Sequence, residues 1–557
     1  MKKTLTIIYL VIALVSGHEV FAQTGNRYWI EFTDKNNSPF SISNPSAYLS
    51  QRAIQRRQRQ GIAIDSTDLP VNPAYLDSLI AKGATVRHKS KWLNGATIEV
   101  PNAQILANIQ ALPFVRGSRK NGRVAYSRPQ NEDFKLLGSV ENSPMMRIDR
   151  LTNADYGVSY NQIRMHNGDV LHNLGYRGQG MRIAVFDAGF INVNTLACFD
   201  SIFSDNRMVD VYDFVDLTTN PYVFDSHGTF VLGCMAGIIP NELIGTAPKA
   251  EYMLYRTENN VNGSENQIEE DNWVAAAERA DSAGADVFNT SLSYTTFDDP
   301  TMNHTYADMD GNTARITRGA DWAARKGILV VVSAGNYGNG GWTYIGAPAD
   351  GDSVLSVGAT NAEGQRVGFS SLGPTSDGRI KPNVMAQGQA AVSCALNGQG
   401  VTYVSGTSFS GPIMAGLATI LWQAYPTRTN MEIYDALLQS SDNRVSPNNQ
   451  IGWGKPDLQF ALTLLSNKPE QALAEIKAFP NPFTGQLMIQ FEQKIAADNT
   501  LFVRDLQGRL VYKESMGRVN TGAQAFQLAL PDDLSKGVYM LEISNEYNTS
   551  ILRLVKQ

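Results

Sequence analysis

Five short apolar runs constrain the fold more than anything else in the sequence: Met181 to Phe186, Glu251 to Tyr255, Ala285 to Asn289, Ile328 to Ser333 and Ser353 to Val357. Helix-like stretches, Trp273 to Ser282 and Thr317 to Lys326 among them, lie between these runs. A strand that is apolar on both sides has to be covered on both sides, and alternation with helices supplies the cover. From about Asp155 to Leu465 the expected architecture is therefore α/β, a mainly parallel sheet with helices on both faces.

The flanks read differently. Residues 23–120 have the look of a small α+β unit: a strand over Arg27 to Phe32, helices over Pro45 to Arg59, Tyr75 to Ala81 and Ala103 to Ala111, and strands within Thr85 to Val100. Arg52, Arg56, Arg57 and Arg59 read as a solvated helix face. Residues 121–154 are polar and aperiodic, with Pro129, Asn131, Glu132 and Asp133, and read as an exposed linker. Residues 470–557 break into short strands separated by turn residues, such as Leu487 to Phe491, Leu501 to Arg504 and Val538 to Ile543, which predicts a small β-sandwich. At the N-terminus, Lys2 and Lys3 precede an apolar Leu5 to Val15 and a small-residue site at Ala22, the pattern of a signal peptide over residues 1–22.

With 557 residues the chain is long enough for several domains. A net charge of -6 gives no footprint for nucleic acid, so none is expected as a partner. Of the three cysteines, Cys198, Cys234 and Cys394, none has metal-ligand spacing; Cys234, in a Gly/Ala-rich helix, reads as a small buried residue. One disulfide is allowed, with no choice of pair.

Four segments carry candidate chemistry. Ile183 to Phe186 ends in Asp187-Ala188-Gly189; an acid at the carboxyl end of a parallel strand stands at the site edge of an open sheet, although alone it reads more readily as a turn residue. His227, one of only 6 His, opens a helix rich in Gly and Ala, with Asp225 before it as a helix-start or loop acid. Ser408 lies at or beside the N-terminus of a second such helix, where backbone N–H groups can stabilise a developing oxyanion. Pro412 is expected in that helix's first turn, where its missing donor costs little. Val331 to Asn336 ends a strand in Gly-Asn, which offers either a carboxamide donor or a turn.

In the order acid, His, Asn, Ser, these segments resemble the subtilisin family over about 300 residues, on Asp187-Ala188-Gly189, His227-Gly228-Thr229, Ala334-Gly335-Asn336 and Gly406-Thr407-Ser408 continuing to Pro412. Phe369 to Pro374 and Asp377 to Pro382 add a fifth match. The resemblance implies a secreted serine endopeptidase acting on proteins or peptides, with Asp187, His227 and Ser408 as triad and Asn336 as oxyanion donor. It also implies an edge strand at Ser291, Leu292 and Ser293 that pairs with substrate and lines the first specificity pocket, with Ala334 and Gly335 opposite. Ser293 departs from the Gly usual in the family, which leaves pocket depth open. No cofactor is required; the family allows calcium as a structural ion, but no Asp/Asn cluster here has a ligand spacing.

The first block resembles a subtilase propeptide, implying a folding helper and temporary inhibitor, with extra length around Gln51 to Leu69. The last block resembles the C-terminal sorting domain of the type IX secretion system of Bacteroidetes, on Phe479 to Pro482, Asp505 to Arg509 and Leu534 to Tyr539, implying that secretion machinery as a partner and export through the periplasm to the surface or medium. An esterase would place its nucleophile in a Gly-x-Ser-x-Gly elbow with the His last in the chain, whereas here His227 precedes Ser408. A non-enzymatic surface protein on the same fold would not need all four catalytic positions intact.

Overall fold

The structure, a computed structural model, describes residues 26–123, 152–260, 263–466, 476–493, 497–505, 510–531, 534–544 and 549–557. The signal-peptide reading of residues 1–22 and most of the linker lie outside these.

Four strands, β1 (Asn26–Phe32), β2 (Thr85–Ser90), β3 (Gly95–Val100) and β4 (Val115–Arg123), form an antiparallel sheet in the order β2-β3-β1-β4. Helices α1 (Gln51–Arg59), α2 (Pro73–Ala81) and α3 (Ala103–Gln110) complete this unit. The expected linker begins within β4, whose polar, Gly-containing sequence hides a strand that pairs with β1.

The central sheet has seven strands: β5 (Arg182–Asp187), β6 (Met208–Asp213), β7 (Glu251–Arg256), β8 (Val287–Thr290), β9 (Leu329–Ser333), β10 (Val354–Thr360) and β11 (Val384–Gln387). Their order is β11-β10-β9-β8-β5-β7-β6, and every pairing is parallel. Successive residues of a strand face opposite sides, and the two cores divide accordingly. Ile183, Val185, Leu329 and Val331 pack with α4 (His227–Ala236) and α7 (Thr407–Ala424). Ala184, Phe186, Val330 and Val332 pack with α5 (Ile268–Ala283) and α6 (Arg315–Arg325). Phe186, Thr290 and Val332 share a register, so Asp187, Ser291 and Ser333 follow side by side at one sheet edge.

Glycine sets how closely the α4–α7 layer approaches. A Cβ at Gly228 would lie 2.4 Å from the Gly189 carbonyl oxygen, and one at Gly416 would lie 2.0 Å from Thr246 Oγ1. The three cysteines are buried free thiols.

Seven further strands form two antiparallel sheets, β12-β13-β16 and β15-β14-β17-β18, with β12 Lys477–Phe479, β13 Leu487–Gln493, β14 Ala497–Asp505, β15 Leu510–Val519, β16 Gly522–Leu528, β17 Gly537–Ser544 and β18 Thr549–Lys556. Leu487 and Ile489 of one sheet share a core with Val503, Leu541 and Ile543 of the other, which makes a sandwich.

The arginine-bearing helix is where the solvated-face expectation fails. Arg56 and Arg57 are both 0% exposed. Arg56 pairs with Asp281 of α5, and Arg57 bridges Asp281 at 2.9 Å and Asp68 at 2.6 Å. Lys91 reaches Asp281 at 2.7 Å, and Lys326, at the end of α6, reaches Asp68 at 2.9 Å. Burial pushes the Asp281 carboxyl up, but Lys91, Arg57 and Arg56 outweigh it and hold it well below the usual carboxylate range. Two more acids on the same side of α5 take donors from the first block. Glu278 accepts the Lys91 and Trp92 N–H groups, and Asp271 accepts Thr97 Oγ1 and the Asn121 amide. The helix pattern alone does not reveal that charges at one end of the sequence are neutralised by acids more than 200 residues away.

Asp281→Asn is expected to destabilise the full chain by about 3–5 kcal/mol, since it leaves buried cations without their shared partner. Arg116→Gln, which breaks an exposed pair with Glu31, should cost about 1 kcal/mol or less. Urea unfolding of the two variants checks this; equal midpoints would show that the buried network does not hold the blocks together.

Candidate active site

Asp187 is the last residue of β5 and is fully buried. Its Oδ1 accepts Nδ1–H of His227 at 2.8 Å and the Ala188 N–H at 2.8 Å. Burial raises the Asp187 carboxyl, opposed by the charge and hydrogen bond of His227. His227 opens α4, and its backbone N–H donates to Asp225 Oδ1 at 2.7 Å, so Asp225, one residue before the N-cap Ser226, satisfies the first N–H of the helix. Burial alone would depress the imidazole; the Asp187 charge and hydrogen bond outweigh it, and the net displacement is upward.

Ser408 is the second residue of α7, with the positive end of an 18-residue helix beneath it. Its hydroxyl lies 3.4 Å from the Ser291 carbonyl oxygen. Pro412 stands inside the helix rather than in the first turn as expected, and the reason is visible four residues back. Proline has no N–H to give the Ser408 carbonyl. The Ser291 hydroxyl donates to that carbonyl instead, at 2.8 Å. The break in the helix ladder thus ties the Ser408 backbone to the edge of the sheet.

Asn336 is exposed, but its carboxamide oxygen is held twice, by the Thr407 N–H at 2.8 Å and Thr407 Oγ1 at 2.9 Å. That leaves its NH2 as the free end, a donor beside the Ser408 helix start. Thr407 Oγ1 also accepts the Gly335 N–H at 3.1 Å, and Gly335 adopts φ +99, a left-handed conformation that suits glycine.

A cleft of about 350 Å³ brings His227, Ser408 and Asn336 together with Ser291, Leu292, Ser293 and Gly335. Ala334, expected on its wall, is fully buried and packs in the α5–α6 core behind Gly335. Ser293 fills space that glycine would leave: its Oγ would lie 3.0 Å from a Cβ at Gly335 and 2.5 Å from one at Gly346. Ser293 and the two glycines therefore fit as a set.

The sequence reading missed Thr407, although it adjoins Ser408. It also missed three acids from the loop after β7 and the first turn of α5, Glu258, Glu265 and Glu269, which line the same cleft. Their spacing of seven and four residues would suit one helix face, but the helix begins only at Ile268, so Glu258 and Glu265 reach Glu269 from a loop that only the folded chain places.

Comparison with known proteins gives three matches along the chain. The subtilase family model covers residues 178–454, the peptidase S8 propeptide domain of Bacteroidota residues 27–135, and the secretion system C-terminal sorting domain residues 477–557. Subtilisin NAT of Bacillus subtilis subsp. natto is 30% identical over 365 residues, covering 65% of this chain and 79% of its own. Subtilisin of Bacillus pumilus is 34% identical over 286 residues, covering 51% and 89%. Among solved structures, the prenylagaramide maturation protease PagA aligns at 22% identity and a TM-score of 0.42, covering 54% of this chain and 98% of its own.

Selective isotope labelling of histidine should show the His227 imidazole titrating above the ordinary histidine range, protonated to a higher pH than an unpaired ring. Asp187→Asn removes the charge that raises it and leaves burial, which lowers it, so the pKa must move down. An unchanged or higher value would mean that Asp187 does not control this ring.

Proposed function

Since the chain belongs to the subtilase family, and is a serine endopeptidase carrying a sorting domain that directs it to secretion or the cell surface, we propose that it hydrolyses peptide bonds through an acyl-enzyme on Ser408. The observation that carries this reading is the Asp187–His227 hydrogen bond of 2.8 Å, buried at Asp187 and opening through His227 on the cleft that also contains the Ser408 helix start.

His227 takes the Ser408 proton as Oγ attacks the scissile carbonyl; Asp187 fixes the tautomer, with the proton on Nδ1, and stabilises the imidazolium. The Ser408 N–H and the Asn336 NH2 hold the oxyanion. The C–N bond breaks as His227 gives its proton to the leaving amine. Water then attacks the ester, His227 takes a proton from it, and Ser408 leaves with its own proton restored. The edge at Ser291, Leu292 and Ser293 pairs with the substrate backbone, which gives affinity with little demand on sequence.

The remaining parts follow the same reading. Residues 23–120 act as folding helper and temporary inhibitor, supported by the buried ion pairs between that block and α5. Residues 121–154 contain the maturation cut, residues 155–466 form the peptidase, and residues 470–557 address the type IX secretion machinery. A structural calcium would reveal itself as a rise in Tm on adding calcium chloride.

Ser408→Ala should lower kcat by about 10⁶-fold, the magnitude established for the nucleophile in subtilisin itself. It should also abolish fluorophosphonate labelling and leave the 121–154 segment uncut. Full labelling of this variant would move the nucleophile elsewhere. Asn336→Ala should lower kcat by roughly 10²–10³, again the value established for this donor in subtilisin, with KM changing far less. A large rise in KM with kcat intact would make Asn336 a binding residue.

A further inference from the structure

Glu258, Glu265 and Glu269 bring carboxylate oxygens within 4.8 Å of one another on the wall of the cleft that contains Ser408. Two of them are buried, at 6% and 1% exposed for Glu258 and Glu269. Among the described residues no Lys or Arg forms an ion pair with any of the three. The cation closest in effect, Arg256, is already occupied by Asp213 and Asp216 at 2.8 Å each. The contrast with Asp281, which collects three cations in the same molecule, is sharp: here buried acids converge and the counter-charge is missing.

Partner accounting sharpens the point. Glu269 accepts the Asn259 N–H at 2.9 Å and the Asn266 N–H at 2.8 Å, and Glu258 accepts Thr257 Oγ1 at 2.9 Å. The Glu265 carboxylate accepts no protein donor among the described residues. Tyr294, 1% exposed and directly after Ser293, turns its buried hydroxyl among the three acids and faces Glu258 without a well-formed hydrogen bond. Burial raises all three acids, Glu258 to about 7 with the Asp187 charge adding to the rise, while the neighbouring glutamates push Glu265 and Glu269 further up, so the empty arrangement is costly in its charged form. A group that brings positive charge and several donors would relieve both the repulsion and the unmet acceptors.

We propose that these three glutamates receive the cationic side chain of a substrate Lys or Arg close to the scissile bond, making the enzyme selective for basic sequences. The inference rests on the peptidase reading above. Location favours a peptide side chain, because an extended substrate reaching Ser408 has to pass through this cleft. Coordination does too: of the six carboxylate oxygens, both of Glu269 and one of Glu258 already accept protein donors, so three and the Tyr294 oxygen remain, within the three to five acceptors an ammonium or guanidinium needs and short of the 6–8 oxygen ligands of calcium.

The test uses enzyme recovered after expression of the full chain, casein as a neutral control, and peptide sets in which Arg is replaced by citrulline at each position around the scissile bond. Citrulline keeps the shape and removes the charge. At one position Arg should exceed citrulline in kcat/KM by at least roughly tenfold, as expected for a specific charge contact in a desolvated site. Glu265→Gln should bring that ratio towards unity, and Glu269→Gln is the second variant should the first fold poorly. Casein and peptides cut with equal kcat/KM for Arg and citrulline at every position would overturn the proposal and leave the peptidase reading standing. No cleavage of anything would instead sink the peptidase reading. A Tm raised by calcium chloride in the unaltered protein but not in Glu265→Gln, with no preference for Arg, would make the cluster a metal site and also overturn the proposal.

Discussion

Parallel register at the centre of the seven-stranded sheet is the constraint on which everything else depends. Because β5, β8 and β9 are neighbours in step, Asp187, Ser291 and the segment leading to Asn336 emerge at one edge without any contact between distant loops being needed. Helices on one face then bring their N-termini to that edge, one with His227 and one with Ser408. Sheet geometry fixes three positions and helix packing fixes two. The reactive groups are thus held by backbone hydrogen bonds and apolar packing more than by their own interactions.

Where chemistry and regular structure conflict, the fold uses the conflict. Pro412 removes a rung from the α7 ladder, and the freed Ser408 carbonyl is taken up by a hydroxyl from the sheet edge. Thr407 similarly takes the oxygen of Asn336 out of play, so that only a donor is left for the substrate. In both cases a neighbouring hydroxyl group settles an orientation that would otherwise be free, and no strong ion pair is needed.

Much of this was legible in sequence because it is local. The apolar runs gave the β5, β7, β8, β9 and β10 strands to within a few residues, and the helix starts at His227 and Ser408 announce themselves by small residues and motif order. What was not legible depends on distance along the chain. Arg56 and Arg57 look like any exposed basic pair until Asp281 is placed against them. Glu258, Glu265 and Glu269 sit in a loop and a helix turn whose approach to the cleft is set by tertiary packing. Pro412 lies beyond the first turn because the helix already begins at Thr407, and β4 is hidden because its polar residues face another block instead of a core of their own.

The close contact at Gly416 has a consequence for how such a chain can vary. Ser408 lies about 12 Å along the helix from Gly416, at 1.5 Å per residue, yet both ride on the same rigid rod. A methyl group at 416 has no room beside Thr246, so the helix would have to shift bodily, and the nucleophile would move with it. Accepting a larger residue there demands a second, simultaneous change at 246, and either change alone passes through a displaced or loosened intermediate. The mutational neighbourhood of the nucleophile therefore extends well beyond the residues that touch substrate. Two positions deep in the helix layer, with no chemistry of their own, are as hard to vary one at a time as the serine they support.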